Sequence, residues 1–399
     1  MKYNILIKYI NGFPSVKDGE RISIERLSLI CNLLGRVNIG NGYIHIGGGA
    51  YAHASAMALE SILCEAGYSV CRISDAHSFD VRQSVYINRE TPSIEDYTEV
   101  LTDIRSIVKK HSDVQFLREE IVFAFSLYMS KIMGCKYVIL ECTTSVGEAL
   151  SVICPKYNYA IVSKTYENIS DEGLDAKCKA IDRVTRGVVT GNNGFYRYFS
   201  DKCQRFGIRL SIHRNFEVVS ESNRSRVINY GGKEYKLKSA SDMLCDAVIS
   251  AIELVEIMKS QGAKITPQEM VEGISAMPTA GFFEIMSSSP LIVGDISARE
   301  GEIALLLSRL SATLDKGGDK KLSVCAENDE LLGVVKAYSG DIEISSIDVS
   351  AEETTEQKKY SRIAKEIIEA GKTSAVLLLG SCEFVCGVKS AFVLMMNKL

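Results

Sequence analysis

Gly47, Gly48 and Gly49 stand between the apolar run "YIHI" and an alanine-rich segment, "AYAHASAMALESIL", that ends at Leu63. A strand, a glycine turn and a helix in that order build a phosphate cradle, because glycines let backbone amides close on an anion at a helix N-terminus. Such a cradle normally carries a lysine, and none occurs between Tyr43 and Leu63. The stretch offers the geometry of a phosphate site without its fixed cation. The twelve cysteines are scattered singly, mostly inside apolar segments where a thiol packs as a small hydrophobe. No C-x-x-C pair is present, and Cys382 and Cys386, four apart, have no partner ligands beside them in sequence. They read as core packing.

The elements that must position the glycine run alternate along the chain. "GYIHIGG" is a strand, "ASAMALESILCEAG" a helix, and "YSVCRIS" the next strand. "SIEDYTEVLTDIRSIVKKH" opens on a serine N-cap with an acidic first turn and closes on basic residues, which marks a helix at both ends. "REEIVFAFSLYMSKIMG" is a further helix feeding the strand "KYVILECT", and "NYAIVSK" and "RGVVTG" are short strands. Alternation of this kind predicts an α/β fold with a mostly parallel sheet covered by helices. A boundary falls in "SAMPTAGFFEIMSSSP", residues 275–290, where prolines and serines cluster. Beyond it the alternation restarts, so the expected organisation is a larger unit over 1–285 and a smaller α/β unit over 286–399.

Composition excludes some functions. A chain of 399 residues with 46% hydrophobic and 24% charged residues reads as a soluble globular protein. Its net charge of -4 lacks the basic footprint of a nucleic-acid or anionic-membrane binder. The start, "MKYNILIKYINGFPS", does not read as a signal peptide, and no apolar run is long enough to span a bilayer, so the expected compartment is the cytoplasm.

The order of the segments resembles the folylpolyglutamate synthase and dihydrofolate synthase family of the Mur ligase superfamily. "YINGFPS" is similar to that family's Y-I-H-x-L-P opening, and "IHIGGGAYAHASAMALESIL" lies without a gap on its I-H-V-A-G-T-N-G-K-G-S-x-A-A-M-L-x-S-I-L. "SDAHSFDVRQSVYIN" keeps the spacing of S-P-H…I-R-I-N, with His77 and Asn88 in register. "YVILECTTSVGEAL" resembles V-A-V-L-E-V-G-L-G-G-R-L-D-A, and "LLLGSCEFVCGVKS" resembles T-G-S-L-Y-L-V-G-E-V-R. The resemblance implies a P-loop domain followed by a Rossmann-like domain with the active site between them. It also implies ATP- and magnesium-dependent amide formation through an acyl phosphate that glutamate attacks.

Carried over residue by residue, the same resemblance removes most of that chemistry. The P-loop lysine falls at Ala52, the glycine after it at His53, the loop serine at Ala54 and the preceding glycine at Tyr51. Ser55 is one position late for the hydroxyl, and His53 is a weak cation near neutrality. Glu141 falls on a magnesium-binding glutamate and Asp75 on a metal-binding serine, so this pair is the candidate vestigial metal site. "TYENIS" replaces the metal histidine's motif, and the carbamate-forming lysine falls at Arg183, which cannot form a carbamate. "GDISARE" stands where the family has D-G-A-H-N-P, with Asp295 one place out of register, and a nucleotide-contacting arginine falls at Phe282. His77, Arg183 and Asp295 are the remaining cleft candidates.

Loss of a charge contact to a transferring phosphoryl group costs several kcal/mol of transition-state stabilisation. The leading expectation is therefore a binding or partner subunit without ligase activity and without a cofactor, whose counterpart is another protein or a small molecule. One alternative is an active ATP- and magnesium-dependent carboxylate–amine ligase with a rewired site. The other is a pterin- or nucleotide-binding sensor that uses the cleft without turnover. The missing groups being independent, Ala52→Lys alone is expected not to restore ligation. Read as a vestige, Glu141 is expected to tolerate Glu141→Gln with only a slight change in stability.

Overall fold

Among the described residues, apolar runs flanked by helical ones assemble into three sheets. The computed structural model describes residues 3–15, 22–47, 50–74, 84–142, 156–162, 181–191, 196–212, 215–222, 225–239, 241–278, 281–296, 300–314, 320–351, 353 and 356–396. The largest sheet comprises β1 (Gly42–Gly47), β2 (Val70–Ser74), β3 (Val85–Ile87), β4 (Tyr137–Cys142), β5 (Tyr157–Val162), β6 (Val184–Thr190) and β7 (Arg209–Ile212). Their spatial order is β3-β2-β4-β1-β5-β6-β7, and all neighbours are parallel except β2 and β3. A sheet of this kind is covered on both faces, which is why β1, β2 and β4 are buried almost throughout rather than at alternate positions.

A second sheet comprises β11 (Glu284–Ser288), β12 (Leu291–Asp295), β13 (Lys321–Ala326), β14 (Glu343–Ser346) and β15 (Ala375–Leu379), in the order β11-β12-β15-β13-β14. Only β11 runs antiparallel to its neighbour. The chain is thus a mixed α/β protein with one large parallel sheet and a second, smaller, parallel-rich one. The restarted alternation beyond the boundary supplies this second sheet, with "PLIVGDIS", "KLSVCAE", "DIEISSID" and "SAVLLLGS" carrying β12 to β15.

The expected helix after Ser93 runs Ile94–Lys110, with Ser93 Oγ accepting from the Asp96 amide at 3.1 Å. Periodicity did not single out the small antiparallel sheet β8 (Glu217–Ser222), β9 (Ser225–Tyr230) and β10 (Lys233–Leu237). Its signal was there in "INYGGKEY": Gly231 and Gly232 both take positive φ, 60° and 75°, as a tight hairpin turn requires. Among the described residues no helix is long and apolar enough to cross a membrane.

One apolar cluster runs from β1 and the helix Ala50–Glu65 through the helix Asp242–Ser260 to β12, β15 and the C-terminal helix Cys382–Met396. The helix Ala50–Glu65 therefore has no solvent face over most of its length. It also takes the helix Pro267–Ala276 at backbone contact. A Cβ on Gly273 would lie 2.7 Å from Ile62 Cα and 2.9 Å from its amide nitrogen. Alanine gains about 1 kcal/mol over glycine in a helix interior, yet overpacking against backbone costs about 1–3 kcal/mol. Gly273→Ala is expected to lower the urea midpoint by a net loss of up to about 2 kcal/mol. A midpoint raised by the substitution would show that the two helices separate freely.

Candidate functional site

The carboxyl ends of β1, β2 and β4 lie side by side, and in open parallel sheets this edge is where ligands bind. Register places Glu141 opposite both Ile46 of β1 and Ser74 of β2. The helix Ala50–Glu65 starts just beyond β1 and aims His53 at the same point. His53 Nδ1 donates to Glu141 Oε1 at 2.8 Å, and Ser74 Oγ donates to the same oxygen at 3.0 Å. Arg72, inward on β2, donates from Nη1 to Glu141 Oε2 at 2.8 Å and from Nε to Glu60 Oε2 at 2.7 Å. Glu60 accepts in turn from the Arg89 amide at 2.8 Å. The Tyr86 ring lies 4.1 Å from the Arg72 guanidinium carbon, a cation–π contact on the remaining face.

All four members of this Glu60–Arg72–Glu141–His53 chain are buried. Ions out of water need partners, and each charge here has one of opposite sign. Burial pushes the Glu141 carboxyl up, but the His53 and Arg72 charges and hydrogen bonds overcome that and hold it down at about 2. Burial likewise pulls His53 down, and Glu141 reverses this by charge and hydrogen bond, so the imidazole titrates above its ordinary value. With His53 protonated the chain of four is neutral.

Above the network lies a cavity of about 190 Å³. The helix Ala50–Glu65 and strands β2 and β3 line one side, and Pro278, Cys386 and Lys389 line the other. Lys389 Nζ donates to Glu284 Oε1 at 2.6 Å. Phe282, with no exposed surface, stacks on His53 with ring centroids 6.4 Å apart and planes 20° from parallel. The Cys386 thiol is brought down to about 7, chiefly by its hydrogen bond from Cys382, with help from His53 and Lys389 against the effect of burial.

The residues singled out from sequence are only partly brought together. His53 and Glu141 meet. Ala52, fully buried, belongs to the apolar cluster and does not line the cavity. Ser55 turns away and donates to the Ala247 carbonyl at 3.3 Å. Gly47 ends β1. Asp295 ends β12 and accepts from the Phe283 amide at 2.7 Å, so it fixes the loop that carries Phe282. Arg183 closes the short turn Ile181–Arg183 before β6. Gly48, Gly49, Asp75 and His77 lie outside the described residues.

Sequence reasoning missed Arg72 and Glu60. A signal existed, since an arginine inside the otherwise buried strand "VCRIS" must have a carboxylate partner. Magnesium, which the resemblance assigns to Glu141, prefers octahedral oxygen ligands. Both Glu141 oxygens are engaged, and two of the three donors on them are a guanidinium and an imidazole. The described residues do not fit that ion.

No protein-family profile matches the chain, and no curated protein matches it by sequence. Solved structures do match along its whole length. The apo form of Lactobacillus casei folylpolyglutamate synthase superposes with a TM-score of 0.77 at 16% identity, covering 99% of this chain and all 100% of that one. A folylpolyglutamate synthase–AMPPCP–folate complex gives a TM-score of 0.75 at 16% identity, covering 99% and 100%. The Mycobacterium tuberculosis enzyme, solved with ADP and AMPPCP, gives 0.69 at 14% identity, covering 98% and 99%. This chain therefore has the fold of folylpolyglutamate synthase.

Proposed function

We propose that this protein is a folylpolyglutamate synthase-like subunit that has lost ATP-dependent amide ligation and works by binding, either to a partner protein or to a small molecule in its cleft. The observation that carries the reading is the state of Glu141. In a ligase this carboxylate must be open to a metal ion that bridges phosphates. Here the protein's own cations, Arg72 and His53, hold both of its oxygens at 2.8 Å. Two further features support it. The position matched to the phosphate-binding lysine is Ala52, sunk in the core, and the position matched to a nucleotide-contacting arginine is Phe282, stacked on His53. The site has the architecture of phosphoryl transfer with its electrostatics closed on themselves.

Nucleotide titration tests this. Isothermal titration with ATP and magnesium is expected to give no saturable heat. A dissociation constant at or below about 10 μM, near -7 kcal/mol, would falsify the reading.

A further inference from the structure

We infer that His53, Cys382 and Cys386 form a thiolate–imidazole site for a zinc-class divalent cation, with Glu141 as the outer carboxylate that orients the imidazole. The site goes beyond the proposed function and does not depend on whether nucleotide binds. One ligand atom from each of His53, Glu141 and Cys382 lies within 4.8 Å of the others, a group that Cys386 joins only through Cys382. One turn along the same helix, Cys386 Sγ is 3.9 Å from Cys382 Sγ. Two thiolates on one tetrahedral zinc, each about 2.3 Å from it, lie about 3.8 Å apart, so this pair already has the spacing that the ion needs.

The imidazole supplies the second observation. His53 is only 6% exposed, and its Nε2 is buried with no hydrogen-bond partner among the described residues. A buried polar nitrogen without a partner is costly. Nδ1 is occupied by Glu141, which fixes Nε2 as the atom able to bind. A histidine whose other nitrogen donates to a carboxylate is the usual arrangement behind a bound metal. Glu141 itself stays out of the coordination shell, because Arg72 and Ser74 hold it as well. Two sulfurs and one nitrogen favour a zinc-class ion over magnesium or calcium, which take oxygen. His53 and Cys386 both border the cavity, which leaves the fourth position for water or a small ligand. Binding displaces the protons of both thiols and any proton on Nε2, with no change of oxidation state.

The experiment uses reduced full-length protein, stripped with a chelator and free of nucleotide, so its outcome is separate from that of the ATP titration. Zinc alone should bind at one ion per chain, and cobalt in its place should show thiolate-to-cobalt charge-transfer absorption. Cys382→Ser, Cys386→Ser and His53→Gln should each weaken zinc binding by about 100-fold or more, since even outer partners are worth about 10–100-fold. Cys325→Ser, at a buried thiol in β13, should bind as wild type. Wild-type protein gives a reading that needs no folded variant: saturating zinc should protect Cys386 from alkylation relative to the zinc-free protein. Three results would each overturn the site: a cobalt spectrum without thiolate charge transfer, alkylation of Cys386 at the zinc-free rate, or folded cysteine variants that bind zinc as wild type does.

Discussion

Ala52→Lys is expected to destabilise the fold by about 4–7 kcal/mol and to create no ligase activity. Ala52 has no exposed surface and sits in the apolar cluster shared with the helix Asp242–Ser260. A lysine buried there loses about 3–5 pKa units, each about 1.36 kcal/mol, and the added side chain also overpacks the helix contact. Such a loss is a large part of an ordinary domain's total stability of about 5–15 kcal/mol. Restoring the missing cation therefore breaks the core before it can rebuild a phosphate site. Urea unfolding followed by circular dichroism measures the first half, and glutamate-dependent ADP release the second. A wild-type midpoint would mean that the new side chain escapes to solvent. ADP release above the wild-type background would mean that the remaining machinery still works.

Glu141→Gln carries the next largest effect, a loss of about 3–5 kcal/mol, because removing one partner of a buried pair leaves the other charge uncompensated. The structure corrects the slight effect expected from sequence. A vestigial carboxylate at an exposed strand end would tolerate the change, whereas this one is 2% exposed and accepts from Arg72, His53 and Ser74. The pH dependence follows from the same contacts. The folded carboxyl titrates at about 2, below its ordinary 4.5. Its stabilisation is fully present above about 4.5 and is lost as pH falls towards 2. The variant should lack that segment of acid sensitivity. Unfolding free energies of both proteins across this range test the point. A loss under about 1 kcal/mol at neutral pH, the size of an exposed pair, would mean that water reaches the network. The double variant Glu141→Gln with Arg72→Met should lose less than the sum of its parts, since it removes both charges.

Much of the fold was legible in the sequence. Apolar runs between helical patterns report which faces are buried, and caps such as Ser93 and the basic end Lys109–Lys110 are local, so they mark ends without knowledge of the rest. The lack of a lysine after the glycine run is likewise a fact of sequence alone. The site was less legible. Glu141 and His53 were both singled out, but nothing local says that they bond, because they are 88 residues apart. Arg72 reaches Glu141 across 69 residues, and the apolar run around it records only that the position is buried. Cys382 and Cys386 read as core packing because a four-residue spacing carries no ligand by itself. The third ligand comes from a helix at the other end of the chain. Periodicity fixes which side of an element is covered, while the identity of the covering group depends on how sheets and helices stack. That is why only the tertiary structure decided that Glu141 faces protein cations and that Phe282 and the C-terminal cysteines close over His53.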